Sequence, residues 1–303
     1  MVNADGEDDL ILVLDIAAST DRVIARKKDN EVFLRQRDNS VKLDREQVRA
    51  LEYDKNQRSF EEEVCTRSLL DDVDHEVLAR YKASLDTDVS DEQLLRSRGF
   101  LVDGHLTNAG VLLFSDNPTR FLPCARVRVL KYEGNARETG SRMNLVKERT
   151  FDGPIPRVID EAKAMISSQL REFQFLGDDG VFKVIPEYPE FAWFEGLVNA
   201  VTHRNYAIAG DHIRVSIFDD RMEIQSPGKL PNIVTLDNMR NTRYSRNPGI
   251  ARVLAEMGWV RELNEGVQRI YDEMQGFFCM IPSSASQMMR PSCSSWRTAL
   301  PQG

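Results

Sequence analysis

The sequence predicts an α+β fold in which helices lie on one face of a mixed sheet, with a smaller α/β piece and a short helical connector ahead of it. Ile213, Val215 and Ile217 alternate with Arg214, Ser216 and Phe218, and Met222 and Ile224 resume the alternation after Asp219-Asp220, a β-hairpin with an acidic turn. Ile155, Val158, Ile159, Ala162, Met165, Ile166 and Leu170 recur at helical spacing, the stripe of a core-facing helix. At 303 residues and 41% hydrophobic, the chain can bury one large or two medium domains.

In chain order, Leu10 to Ile16 and Glu31 to Arg37 read as strands and Asp44 to Tyr53 as a short helix. Leu69 to Phe114 reads as two or three short helices ending in Leu106-Thr-Asn-Ala-Gly-Val-Leu-Leu-Phe114, and Ala125 to Tyr132 as a strand. After the 155–170 helix comes a second one, whose apolar side is Phe194, Leu197, Val198 and Val201. Glu195, Asn199 and His203 fall at i, i+4 and i+8 along it, so a carboxylate, a carboxamide and an imidazole share a stripe. Two readings fit that spacing. A carboxylate one turn from a carboxamide suits metal-assisted phosphate chemistry, since Asn offers a neutral oxygen to a hard cation and Glu can orient or deprotonate a water. The same residues also suit the solvated border of an amphipathic helix.

Charge and composition exclude several classes. The net charge of −8 argues against wholesale coating of nucleic acid, though not against local basic surface. Arg22 to Arg58 holds 11 Lys/Arg against 7 Asp/Glu, and Arg120 to Arg149 holds 8 against 3. The N-terminus is acidic, without a signal peptide, and no apolar run reaches membrane-spanning length, which predicts a cytoplasmic protein with no membrane partner. Cys65, Cys124, Cys279 and Cys293 form no C-x-x-C pair and the four histidines are scattered, which argues against a zinc site or disulfide framework. No G-x-x-x-x-G-K-[ST] is present, so a P-loop motor finds no support.

The order of residues narrows the reading. Glu195-x-x-x-Asn199-Ala-x-x-His203-Arg204 resembles the N-box of the GHKL ATPases. With His212 to Pro231, Ser245-Arg-Asn-Pro248 and Arg261-Glu-Leu-Asn-Glu-Gly266, the chain looks like the divergent GHKL-like module of bacterial transcriptional regulators, some labelled RecG-like helicases, whose N-terminal module is Schlafen/AlbA-like. The resemblance covers roughly Leu10 to Gln275 and is densest between Pro189 and Ile270. It implies a two-layer sandwich in which Glu195 activates water and Asn199 holds Mg2+. By the same resemblance His203, Ser226, Gly228, Arg243, Arg246 and Gly266 join Asn199 around ATP. In such proteins an Asp-x-Gly-x-Gly reads adenine; here Ser226-Pro-Gly-Lys-Leu230 takes its place, without the carboxylate, and the later Gly-rich stretch is reduced to Asn264-Glu-Gly266. Arg240, Arg243 and Arg246 lie in a stretch from Met239 to Arg252 that has no acidic residue, ahead of an Asn247 N-cap and Pro248 at the first helical position. That is an anion site or a basic surface patch at a helix start.

Val32 to Ser40 resembles the closing part of the Schlafen/AlbA-like module, with Arg35 and Arg37 as nucleic-acid contacts or as a solvated strand face; the opening half is missing, so DNA binding is expected to be weak. The resemblance divides the chain into 1–62 (partial Schlafen/AlbA-like module), 63–98 (helical connector), 99–278 (GHKL-like domain) and 279–303 (an anomalous tail). Cys279 to Gly303 has no Asp or Glu, although the other positions hold 48. With codons chosen freely, Met280 to Thr298 read in a shifted frame gives Asp-Pro-Val-Phe-Ser-Glu-Pro-Asp-Asp-Ala-Thr-Val-Met-Leu-Phe-Leu-Glu-Asn, an acidic turn and an apolar strand. A frameshift is therefore expected there, the alternative being a native disordered tail. Three functions follow: a transcriptional regulator with a nucleotide-binding sensor and weak DNA binding, a magnesium-dependent ATPase, or an interaction scaffold. Family habit implies a homodimer.

Overall fold

The computed structural model describes residues 2–4, 7–9, 15, 19, 21–177, 179–228, 245–259, 269, 270 and 272–275. The chain forms two compact units, Met1–Arg58 and Ser59–Gly303.

In the first unit, β1 (Val2–Ala4) pairs antiparallel with β2 (Glu7–Asp9), and β3 (Phe33–Gln36) with β4 (Asn39–Lys42). Arg37 and Asp38 make the turn of the β3–β4 hairpin, and Arg37 has φ +53°, a left-handed conformation that two-residue hairpin turns demand. Arg37 is thus a turn residue, where the sequence suggested a strand position; Arg35 lies on β3. α1 (Arg45–Asp54) begins with a capping box. The Asp44 carboxylate accepts from Gln47 N and the Gln47 side chain accepts from Asp44 N.

The second unit opens with a 3-10 turn (Phe60–Glu62) and continues through α2 (His75–Ser84), α3 (Asp91–Ser97), the short pair β5 (Leu101–Val102) and β6 (His105–Leu106), and α4 (Asn108–Phe114). Asp74, Ser90 and Thr107 cap α2, α3 and α4 with side-chain oxygens. Then come β7 (Arg126–Tyr132), β8 (Leu145–Asp152), α5 (Ile155–Gln169), β9 (Glu172–Leu176), β10 (Phe182–Pro186), α6 (Glu190–Thr202), β11 (Ile213–Ile217), β12 (Met222–Gln225) and α7 (Pro248–Glu256). β7, β11, α5 and the β11–β12 hairpin stand where the sequence put them.

The main sheet runs β12-β11-β7-β8, with β11 parallel to β7 and the outer pairs antiparallel. A parallel pair needs a long crossover, and the chain from α5 to α6 supplies it. The period of two sends Val127, Val129, Phe151, Ile213, Val215, Ile217, Met222 and Ile224 into one core with α5 and α6. On the opposite face Tyr132 stacks on Phe218, ring centres 5.0 Å apart. The connector helices are more than a spacer, because Val77, Leu78, Tyr81, Leu94 and Leu95 enter the same core as Ile250, Val253 and Leu254 of α7. α4 comes so close to the preceding chain that a Cβ on Gly110 would overlap the Phe100 carbonyl oxygen.

The antiparallel β9–β10 hairpin was not foreseen. The signal was present in the Phe173 and Phe175 alternation before Gly177-Asp-Asp-Gly180, but Leu176, Val181, Phe182 and Val184 are exposed, so the apolar pattern marks no core face.

Candidate functional site

α6 begins after Pro189, with Glu190 in its first turn where the helix dipole favours a carboxylate. Ala192, Trp193, Leu197, Val198, Ala200 and Val201 are buried, leaving the edge that carries Glu195 and Asn199 half-buried. There the Asn199 Nδ2 donates to Glu195 Oε1 at 3.1 Å. Burial raises the Glu195 pKa above the ordinary carboxylate value, while the Asn199 bond and the charge of Arg269 pull it down. Arg269 itself lies over the Phe191 ring at 3.9 Å, its Nε 3.6 Å from Glu273. Nothing in sequence spacing ties Arg269 to Glu195, 74 positions away; packing alone brings its charge to bear.

His203 is the C-cap of α6, one residue beyond its last turn, so the predicted stripe reaches it only at the helix end. Although the residue keeps exposed surface, the protein around its ring and then the charge of Arg246 hold its pKa below the ordinary histidine value, so it is neutral at pH 7. Arg204, a motif residue given no role from sequence, is fully buried. Its guanidinium donates to the carbonyls of Asn205 (3.0 Å), Ile208 (2.8 Å) and Asp211, pinning the loop that leads into β11. A cavity of about 10 Å3 beside it, lined among others by Arg126, Val127, Val201 and Tyr206, has room for roughly one water and includes neither Glu195 nor Asn199 in its lining.

The loop after β12 is fixed to the end of α6. The Ser226 hydroxyl donates to Ala200 O at 2.8 Å, and Asn205 N donates to Pro227 O at 3.0 Å. Gly228 has φ +132°, and a Cβ there would lie 2.8 Å from Asn205 Cβ, so only glycine fits the approach.

The start of α7 differs from its sequence reading in two ways. Asn247 makes no side-chain N-cap bond; its buried carboxamide reaches back and donates to Thr202 O (2.8 Å) and Arg204 O (2.9 Å), closing the C-terminal end of α6. The expected anion at the free amides of α7 is internal. Gly249 N donates to Glu61 Oε1 at 2.7 Å and Ile250 N to Oε2 at 3.0 Å. Glu61 is 2% exposed, and burial raises its pKa against the opposing pull of the two amides.

Arg246 is half-buried ahead of α7. Arg240, Arg243, Asn264, Glu265, Gly266 and the 279–303 tail lie outside the described residues, as do parts of the 10–16 strand expected near the N-terminus. Among the described residues no group of three or more His, Cys, Asp and Glu side chains could hold a metal ion. Mg2+ asks for less. It keeps several waters and takes one or two protein oxygens plus substrate phosphates, and the Asn199 Oδ1, left over when Nδ2 bonds to Glu195, is a donor of that kind.

These geometries can be set beside known proteins. Residues 210–290 match the family described as "Putative ATP-dependent DNA helicase recG C-terminal". The similarity lies in the C-terminal part of the chain. The match contains Ser226, Gly228, Arg243, Arg246 and Gly266, begins after Glu195, Asn199 and His203, and runs into the acid-free tail. A crystal structure of the DIP2311 protein from Corynebacterium diphtheriae shares the fold at TM-score 0.57 with 23% identity, over 81% of this chain and 48% of that one. The chain therefore spans about half the length of that protein. No curated protein matches the sequence. Among the described residues no helix is long and apolar enough to cross a membrane.

Proposed function

We propose that the second unit is a nucleotide-binding sensor of GHKL-like type and that the chain acts as a transcriptional regulator, with the first unit giving weak contact to DNA through Arg35 and Arg37. The observation that carries the nucleotide reading is the Glu195 and Asn199 pair, bonded at 3.1 Å on a half-buried helix edge in an ATPase-like fold. Asn199 would hold Mg2+ through Oδ1, and His203, Arg243, Arg246 and Gly266 would surround the phosphates. Bound Mg2+ would supply charge neutralisation on the phosphate oxygens. Glu195, whose raised pKa makes it a better proton acceptor than an ordinary carboxylate, is the residue to orient or deprotonate a water. Hydrolysis is expected to be slow, since a glycine-rich stretch reduced in sequence to the single Gly266 would hold a γ-phosphate loosely where catalysis needs tight positioning.

Mg-ATP or Mg-ADP should raise the melting temperature by mass action, and Asn199→Ala should abolish the shift while leaving the far-ultraviolet circular dichroism unchanged. Without an adenine-reading carboxylate the dissociation constant should be roughly 0.1 to 1 mM, with little preference for ATP over GTP. No shift at millimolar Mg-nucleotide would remove both the sensor and the ATPase readings. What favours an interaction scaffold as a second reading is the engagement of the site's own groups, the Ser226 hydroxyl with Ala200 O and the α7 amides with Glu61.

A further inference from the structure

Among the described residues Arg204 is a buried charge without a counter-ion. It is 0% exposed, and its bonds go to three neutral carbonyls, those of Asn205 (3.0 Å), Ile208 (2.8 Å) and Asp211. The Asp211 carboxylate is taken by Arg214, at 2.8 Å and 3.3 Å. The Tyr206 ring, its centre 4.9 Å from the guanidinium carbon, adds a weak attraction. The Arg204 Nε, itself buried, has no acceptor. A guanidinium taken out of water is stable only where partners of opposite sign or a full set of hydrogen bonds replace its hydration, and here both are incomplete.

The cavity of about 10 Å3 beside Arg204 has a second positive wall. Gly153, Ile155 and Val158 line it, so it abuts the first turn of α5. That helix is 15 residues long, and its aligned peptide dipoles leave about half a positive charge at this end. Pro154 stands at the N-cap, no side chain caps the turn, and the turn carries no acidic residue. A helix start of this kind favours an anion, and the buried Arg204 on the same cavity asks for one independently. Arg126, the first residue of β7, lines the cavity as well. The surrounding charge has the same sign. His212, just ahead of β11, is held below the ordinary histidine pKa first by burial and then by Arg126, Arg214 and Arg128, with Asp211 opposing them.

Size and wall chemistry select the occupant. A space of about 10 Å3 holds one body the size of a water, which excludes phosphate, sulfate and carboxylates. A water brings two hydrogens that need acceptors, whereas the Arg204 Nε and the first-turn amides of α5 offer hydrogens and no lone pairs. A small anion accepts from both and cancels the charge. We propose that this cavity binds one halide-sized monovalent anion, chloride in ordinary salt, as the counter-ion of Arg204. The ion joins three segments distant in sequence, the loop after α6 and the starts of α5 and β7. The site stands apart from the nucleotide reading, since neither Glu195 nor Asn199 lines it.

Arg204→Met would break the three loop bonds too, so the test fills the cavity instead. Val201→Ile adds a methyl group to a lining side chain and leaves every charge in place. Full-length wild type and Val201→Ile are melted in sodium chloride, sodium bromide and sodium gluconate at equal ionic strength, and wild-type crystals grown in bromide are measured for anomalous scattering. Chloride and bromide should raise the wild-type melting temperature above that in gluconate by roughly 2–4 °C, with saturation. Val201→Ile should lose that difference, and bromide should give an anomalous peak within hydrogen-bond reach of Arg204 Nε. Equal melting of wild type in halide and gluconate, or a halide gain retained by Val201→Ile, would overturn the proposal. So would density in the cavity without an anomalous signal, which would assign a water to Arg204.

Discussion

At the scale of single residues, the chemistry depends on what each polar group is already doing. Glu195 and Glu61 are both carboxylates whose pKa burial raises, but Glu195 is opposed by a carboxamide and a distant Arg269 while Glu61 is opposed by two backbone amides. A folded-state pKa above the unfolded value of about 4.3 means that the stability contribution is complete below that value and is lost as pH rises through the raised folded value. Glu195→Gln removes this loss. The melting temperature of Glu195→Gln should match wild type near pH 4.5 and gain on it toward pH 7.5. A difference between the two proteins that stayed constant over that range would mean that Glu195 titrates as an exposed carboxylate.

At the scale of elements, α6 and α7 form one device. The Thr202 carbonyl at the end of α6 and the Arg204 carbonyl just beyond it accept from a side chain at the start of α7, and two N-terminal amides of α7 donate to a side chain of the 3-10 turn ahead of the connector. The last residue of α7, Glu256, is bound too, accepting from the Tyr81 hydroxyl at 2.5 Å and from Arg98 at 2.7 Å, so α7 is held at both ends by residues that precede α4. Asn247→Ala would leave the Thr202 and Arg204 carbonyls without that donor in a buried place, and should cost about 1–3 kcal/mol in urea unfolding. Asn247→Asp should cost at least as much, because a carboxylate cannot donate to carbonyls. A tolerated Asp would instead indicate a helix N-cap, where Asp and Asn are interchangeable.

At the scale of the whole molecule, the chain forms two compact units. The first carries 11 Lys/Arg against 7 Asp/Glu between Arg22 and Arg58, but several of its charges are spent internally. Arg26 pairs with Asp29 and Glu31, Lys42 with Glu31, and Lys55 donates to the carbonyls of Ser19 and Arg22. Binding to DNA should accordingly be weak, independent of sequence, and lost between about 50 and 200 mM salt in a mobility-shift titration. Tight binding that survives physiological salt would show that Arg35 and Arg37 belong to a complete recognition surface.

Local periodicity settled the alternation of β11 and β12, the stripe of α5, the capped start of α1 and the place of β7, because these depend on residues only a few positions apart. It also put Glu195 and Asn199 a turn apart, and the structure bonds them. The left-handed turn at Arg37 and the β9–β10 hairpin were missed, since neither carries a buried apolar face to announce it. What only the tertiary structure decided is who satisfies whom. Asn247 looked like a cap for its own helix and serves the end of α6, and the anion at α7 proved to be Glu61, which precedes it by 188 and 189 positions. Helix spacing carries no information about such partners. Orphan amides and carbonyls must be paired once buried, and which side chain pairs with them is fixed only when the core formed by the connector, α4, α5, α6 and α7 brings distant segments together.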